Sequence, residues 1–148
     1  MVSVESRLEP IPVAAALIEA AAGETLKHQG AEGGLTIPLS DDAEVRALNH
    51  QYLGVDSSTD VLSFPAGETD PDLAETYLGD VIISVPQARL QAKAAGHPVE
   101  SEVQLLVVHG VLHLLGHDHA EAGGKAQMWK AQAAVLQRLG LEGIVVRE

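Results

Sequence analysis

Residues 105–119 read LLVVHGVLHLLGHDH, and no other stretch of the 148-residue chain restricts the fold as tightly. From Leu105 to Leu115 the only polar side chains are two imidazoles, His109 and His113. A helix that is apolar all round is a buried helix, so this segment is expected at the centre of the fold. His109 and His113 are four residues apart, which puts them on one helical face with Cβ atoms about 5–6 Å apart. Each imidazole then needs a partner, because a buried polar group left without one costs about 1–3 kcal/mol. One shared cation satisfies both rings at once.

The glycines extend this reading. Gly110 sits inside the helix, where glycine costs about 1 kcal/mol relative to alanine. It predicts a close approach by another backbone or by a substrate. Gly116 predicts the helix end, in a left-handed turn that swings His119 back as a third ligand. The pattern is H-x-x-x-H-x-x-G-x-x-H, carried by His109, His113, Gly116 and His119. Three neutral imidazoles leave a fourth zinc position open for water, the catalytic arrangement. One zinc ion per chain is therefore expected on His109, His113 and His119. On a straight helix His117 would share their face and be the third ligand. With a turn at Gly116 it is a pocket wall or a polar contact. Asp118 reads equally as a carboxylate that orients a ligand histidine or as an exposed turn residue.

Around this segment the chain alternates short strand signals with helical periodicity. Helices are expected over 11–29, in the segment after Ser40 up to Gly54, and over 86–95, 99–115 and 121–139. Strand signals lie at 35–39, interrupted or ended near Pro38, in TDVLSFP before Pro65, and in YLGDVIIS, with a further strand in residues 1–4. The acidic segment 66–75 reads as a loop. A small sheet packed by helices follows, an α+β fold. Asp80 opens a strand and either contacts the metal-site helix or a ligand histidine, or caps the strand end. Ser63 and Phe64 either line the cleft or pack sheet and turn. Thr59 and Asp60 read as turn and strand-start residues. His28, His50 and His97 read as surface groups, and Trp129 as core.

Composition narrows the setting. With no cysteine, disulfides and thiolate-bound metals are excluded and a reducing compartment is the natural one. No apolar run approaches the roughly 18 residues of a membrane span, and the N-terminus lacks a signal-peptide pattern. A cytoplasmic protein folded as one domain over 1–148, without membrane contact, is expected. The formal charge of −12 argues against a broad basic surface for nucleic acid, and no two of the nine Lys and Arg residues are adjacent.

Two families share the histidine spacing. Metzincin proteases carry H-E-x-x-H-x-x-G-x-x-H, with the glutamate as general base; here that position is Gly110, so a peptidase of that mechanism lacks its base. HGVLHLLGHDH more closely resembles the H-G-x-L-H-L-x-G-Y-D-H signature of the YbeY family of bacterial endoribonucleases and rRNA maturation factors, differing at His117. LNHQYLGVDSSTDVLSFP and LGDVIIS also resemble blocks of that family, in the family's order. The chain departs where the family usually has arginine and lysine, at Leu53 and Val55, losing two cations that could hold phosphates; Arg46 or Arg89 would be candidates to compensate.

The resemblance implies a small mixed four-stranded sheet packed by about five helices, with a metzincin-like metal-site helix. It also implies metal-dependent cleavage of single-stranded RNA, in 16S rRNA 3′-end maturation and ribosome quality control. The partners implied are single-stranded rRNA, the small ribosomal subunit, and a ribosomal protein or assembly GTPase. Two alternatives stand beside it: an assembly factor whose metal is mainly structural, and a peptidase-like metallohydrolase using the same three histidines.

Overall fold

The computed structural model describes residues 2–8, 13–66, 76–117 and 122–141. Among them the chain runs β1 (Val2–Ser6), α1 (Ala15–Gln29), β2 (Gly34–Ser40), α2 (Asp42–Leu53), β3 (Val61–Pro65), β4 (Tyr77–Ser84), α3 (Val85–Ala95), α4 (Val99–Leu114) and α5 (Ala122–Arg138). The four strands form one sheet in the order β1-β2-β4-β3. β1, β2 and β4 are parallel, while β3 is antiparallel to β4 and occupies the edge. The fold is α+β, as the sequence suggests.

Strand alternation sorts the side chains onto two unequal faces. Leu35, Ile37 and Leu39 of β2, with Val81 and Ile83 of β4, join buried residues of α1, α4 and α5 in the main core. On the other face, Leu62 and Ile82 pack with Val45 of α2 in a much smaller cluster. Helix α4 lies on the larger face. From Glu102 to Leu114 every residue of α4 is buried except His109 and His113. The greasiest helix is therefore central, and its two imidazoles mark the one place where its buried run opens.

The polar ends of the elements hold the frame. Asp41 caps α2, its carboxylate accepting the Glu44 N–H at 2.9 Å. The Asp42 carboxylate accepts the Ser84 hydroxyl at 2.7 Å and the Ser58 hydroxyl at 2.8 Å, tying the start of α2 to the end of β4. Those hydroxyls, Ser84 foremost, hold the Asp42 carboxyl below its ordinary range.

Two elements differ from expectation. Helix α1 begins at Ala15 rather than at residue 11. Strand β2 is not interrupted by Pro38 but continues to Ser40 in the interior of the sheet. Pro38 pairs with Glu5 of β1, while the pairing to β4 stops at Thr36 and resumes at Leu39. The missing N–H thus falls in a gap of the β4 ladder, and the strand survives a residue that usually marks an edge. The loop expected at 66–75 lies outside the described residues from 67 onward. No helix among the described residues is long and apolar enough to cross a membrane.

Candidate metal centre

Helix α4 delivers the two imidazoles one turn apart. The ring centroids of His109 and His113 are 4.7 Å apart, inclined at 67°. Their Nε2 atoms face each other at 3.1 Å. Two nitrogens bound to a tetrahedral zinc at about 2.0–2.1 Å lie about 3.3 Å from each other, so the pair has the spacing of two ligands to one cation. The other nitrogen of His109 is engaged: Nδ1 stands 2.8 Å from Oε1 of Gln132 on α5. An amide oxygen only accepts, so Nδ1 donates this hydrogen bond, and a neutral ring in that tautomer would carry its Nε2 lone pair towards His113. Trp129, also on α5, meets the same ring edge-on at 6.0 Å between centroids.

Both imidazoles open onto a cleft of about 360 Å³, lined by Thr59, Asp60, Val61, Leu62, Ser63, Pro65, His109 and His113. Its other wall is therefore the edge strand β3. The strand is held against α4 by the Ser63 hydroxyl, which donates to the Gly110 carbonyl at 2.7 Å. Gly110 is what allows this contact. A Cβ there would stand 2.5 Å from Cγ1 of Val81 and 3.0 Å from Cγ2 of Val61. The close approach predicted for this glycine is thus made by strand side chains. The same geometry presses position 110 against β3 and β4, so a glutamate side chain has no room there.

At the helix end, Gly116 has φ of 100°. Its N–H donates to the His113 carbonyl and the His117 N–H to the Leu112 carbonyl, each at 3.0 Å. This is the left-handed stop that the sequence predicts. Directly after it, His117 Nε2 meets Oε1 of Gln29 at the end of α1, 2.7 Å distant. His117 is a polar contact here, not a member of the imidazole pair. His119 and Asp118 lie outside the described residues.

The remaining candidates separate by sheet face. Ser63 lines the cleft. Phe64 does not: it packs on the α2 face against the Val45 cluster, with its ring edge-on to Tyr52 at 5.3 Å. Asp80 pairs across the sheet with Phe64 and shares that face. It accepts from the Tyr77 hydroxyl, which also meets Thr36 Oγ1 at 2.8 Å. Strand alternation thus carries Asp80 away from the histidines. Burial, and then the Asp80 carboxylate, push the Tyr77 phenol above its ordinary range.

Thr59 and Asp60 do more than turn the chain, since both line the cleft. The Asp60 carboxylate accepts the Val61 N–H at 2.8 Å and the Gln91 amide at 3.2 Å, which fixes it at the mouth. No lysine or arginine is among the described residues that line the cleft. Arg46 is paired with Asp56 at 2.8 Å on the surface, and Leu53 and Val55 are exposed. Gln132 escaped sequence reasoning altogether. The readable signal was a polar residue in the apolar stripe Met128, Ala131, Val135, Leu136 of α5, all buried with it.

Fold and site together define a small α+β protein with a helix-borne imidazole pair spaced as two ligands of one cation, set in a cleft beside an edge strand. The model of the family described as Endoribonuclease YbeY matches residues 6–140. The chain belongs to the YbeY family. It is 46% identical over 143 residues to an endoribonuclease YbeY of Moorella thermoacetica, covering 92% of this chain and 86% of that protein. It is 44% identical over 126 residues to one of Carboxydothermus hydrogenoformans, covering 85% and 86%. The solution structure of TM1509 from Thermotoga maritima has the same fold, with a TM-score of 0.58 at 23% identity, covering 98% of this chain and 97% of that one.

Proposed function

We propose that this chain is a metal-dependent endoribonuclease specific for single-stranded RNA, acting in the cytoplasm in 16S rRNA 3′-end maturation and ribosome quality control. The observation that carries the reading is the 3.1 Å approach of His109 Nε2 to His113 Nε2 on the wall of a cleft, in a chain whose relatives are endoribonucleases by name. His109, His113 and His119 would hold one zinc ion. When bound, zinc supplies Lewis acidity towards a phosphoryl oxygen and lowers the pKa of its water towards about 7.

The chain's own residues supply the rest. Ser63 and Gly110 lock the strand wall against the helix. Asp60, fixed by Val61 and Gln91, offers a carboxylate at the cleft mouth. The absence of a cation among the described lining residues supports weak hold on phosphates away from the metal, so single-stranded rRNA would be positioned largely by the small ribosomal subunit.

Cleavage of a single-stranded fragment from the 3′ end of small-subunit rRNA tests the proposal, with wild type and His113→Ala compared with and without chelator. Cleavage by wild type alone, lost on chelation and restored by zinc, is expected. Equal background from both folded proteins would falsify the nuclease reading.

One observation favours a second reading, an assembly factor whose metal is mainly structural. The −12 charge, with no lysine or arginine among the described lining residues, suits a basic ribosomal protein, or an assembly GTPase, better than free RNA. Chelation that unfolds a protein with no nuclease activity would favour it. The peptidase reading loses support, because position 110 faces Val81 and Val61.

A further inference from the structure

We infer that Gln132 is a positioning residue for the metal centre: its amide oxygen fixes the tautomer and the ring plane of His109. The inference rests on the metal-binding reading above. Gln132 is fully buried, 23 residues from His109 along the chain, and its Oε1 stands 2.8 Å from His109 Nδ1. A histidine that binds metal through Nε2 must keep its proton on Nδ1, and an acceptor at Nδ1 enforces this. Trp129, one helical turn earlier on α5, meets the same ring and restrains its rotation.

A second observation separates this from ordinary core packing. The other end of the same amide, Gln132 Nε2, is buried without a hydrogen-bond partner among the described residues. A residue chosen for stability alone would be apolar here, like Met128 and Val135 in the same stripe. The amide stands here although its N–H group meets no partner among the described residues, so its value lies in the oxygen that meets His109. The choice of amide over carboxylate also has a chemical sense. A neutral acceptor orients the imidazole without adding a negative charge to a buried site, and it raises the ring's basicity less than a carboxylate would.

Two measurements on the full chain test this. Zinc affinity is read by competition with a chromophoric chelator for wild type, Gln132→Met, Gln132→Glu and His113→Ala, alongside apo melting temperatures. Gln132→Met is expected to bind zinc about 10–100-fold more weakly, while its apo form melts close to the wild-type temperature, because removal of the unmet N–H offsets the lost contact with His109. Gln132→Glu keeps the acceptor and is expected to bind zinc at least as tightly as wild type, while its apo form melts lower. Equal zinc affinity in wild type and Gln132→Met overturns the inference, as does a loss of affinity matched by a fall in apo melting temperature. Zinc binding no stronger in wild type than in His113→Ala overturns the metal reading instead. The tautomer is read independently by long-range 1H–15N NMR of the apo wild type. An Nδ1–H signal for His109 is expected, and an Nε2–H signal would overturn the inference without any variant.

Discussion

The two ends of α4 each carry a histidine bonded to a buried partner, and they do different things with it. At the N-terminal end His97, just before the helix, meets Oε1 of Glu102 through Nε2 at 2.7 Å, and Glu102 is fully buried. His97 is thus not the surface group its sequence context suggests. At the C-terminal end His109 is engaged through Nδ1, by the amide of Gln132. One ring commits its outer nitrogen to a carboxylate beside the core. The other commits its inner nitrogen to an amide and turns its outer nitrogen to a second imidazole over a cleft. Burial of a histidine therefore does not define a site; the identity of the engaged nitrogen and the space in front of the other do.

The largest test of this contrast is His113→Ala, which should remove zinc binding and reduce rRNA cleavage to the chelated background. Glu102→Leu should act only at the other end. It leaves His97 without its carboxylate and should cost about 1–3 kcal/mol, seen in thermal melting, with zinc affinity unchanged. A matching loss of zinc affinity would show that the two ends are coupled through the helix, and the contrast would break. Gly110→Ala drives a methyl group against Val81 and Val61 and should cost about 1–3 kcal/mol by overpacking, with cleavage falling because β3 is displaced from α4. Ser63→Ala removes one hydrogen bond across the same contact and should cost about 1 kcal/mol, with a small fall in cleavage.

The smallest effect belongs to the opposite sheet face and serves as a control. Hydrogen bonds from Ser84, Ser58 and Gln87 hold the Asp42 carboxyl below its ordinary range. A depressed folded pKa adds stability above the unfolded value of about 3.9 and loses it as pH falls through the folded value. Asp42→Asn should therefore flatten the loss of melting temperature below about pH 4 and leave zinc affinity at neutral pH untouched.

What could be read from the sequence was whatever depends on local periodicity. The buried character of α4, its stop at Gly116, the i, i+4 histidine pair and the YLGDVIIS strand are short-range consequences of residue order, and each stands in the structure as expected. The pairing of distant segments was not legible. Pro38 reads as a strand breaker until the gap in the β4 ladder opposite it is known. Asp80 and Phe64 look eligible for the site until pairing places both on the α2 face. Gln132 stands out in sequence only as a polar residue in an apolar stripe, and its role is not legible because its partner lies 23 residues away on another helix. His97 was misread because five residues on, Glu102 turns inward rather than to solvent.

The dependence of His109 on α5 also sets an order of events. Helix α4 can wind from its own local contacts, but the ring at 109 is not set until Gln132 and Trp129 arrive on the last helix. A chain made from its N-terminus emerges with both imidazoles long before the group that orients one of them. Firm capture of a cation would thus come at the close of assembly. The time lag between the formation of α4 and metal uptake would then measure how long α5 takes to dock, and a chain cut short before residue 132 would carry the histidines without the grip.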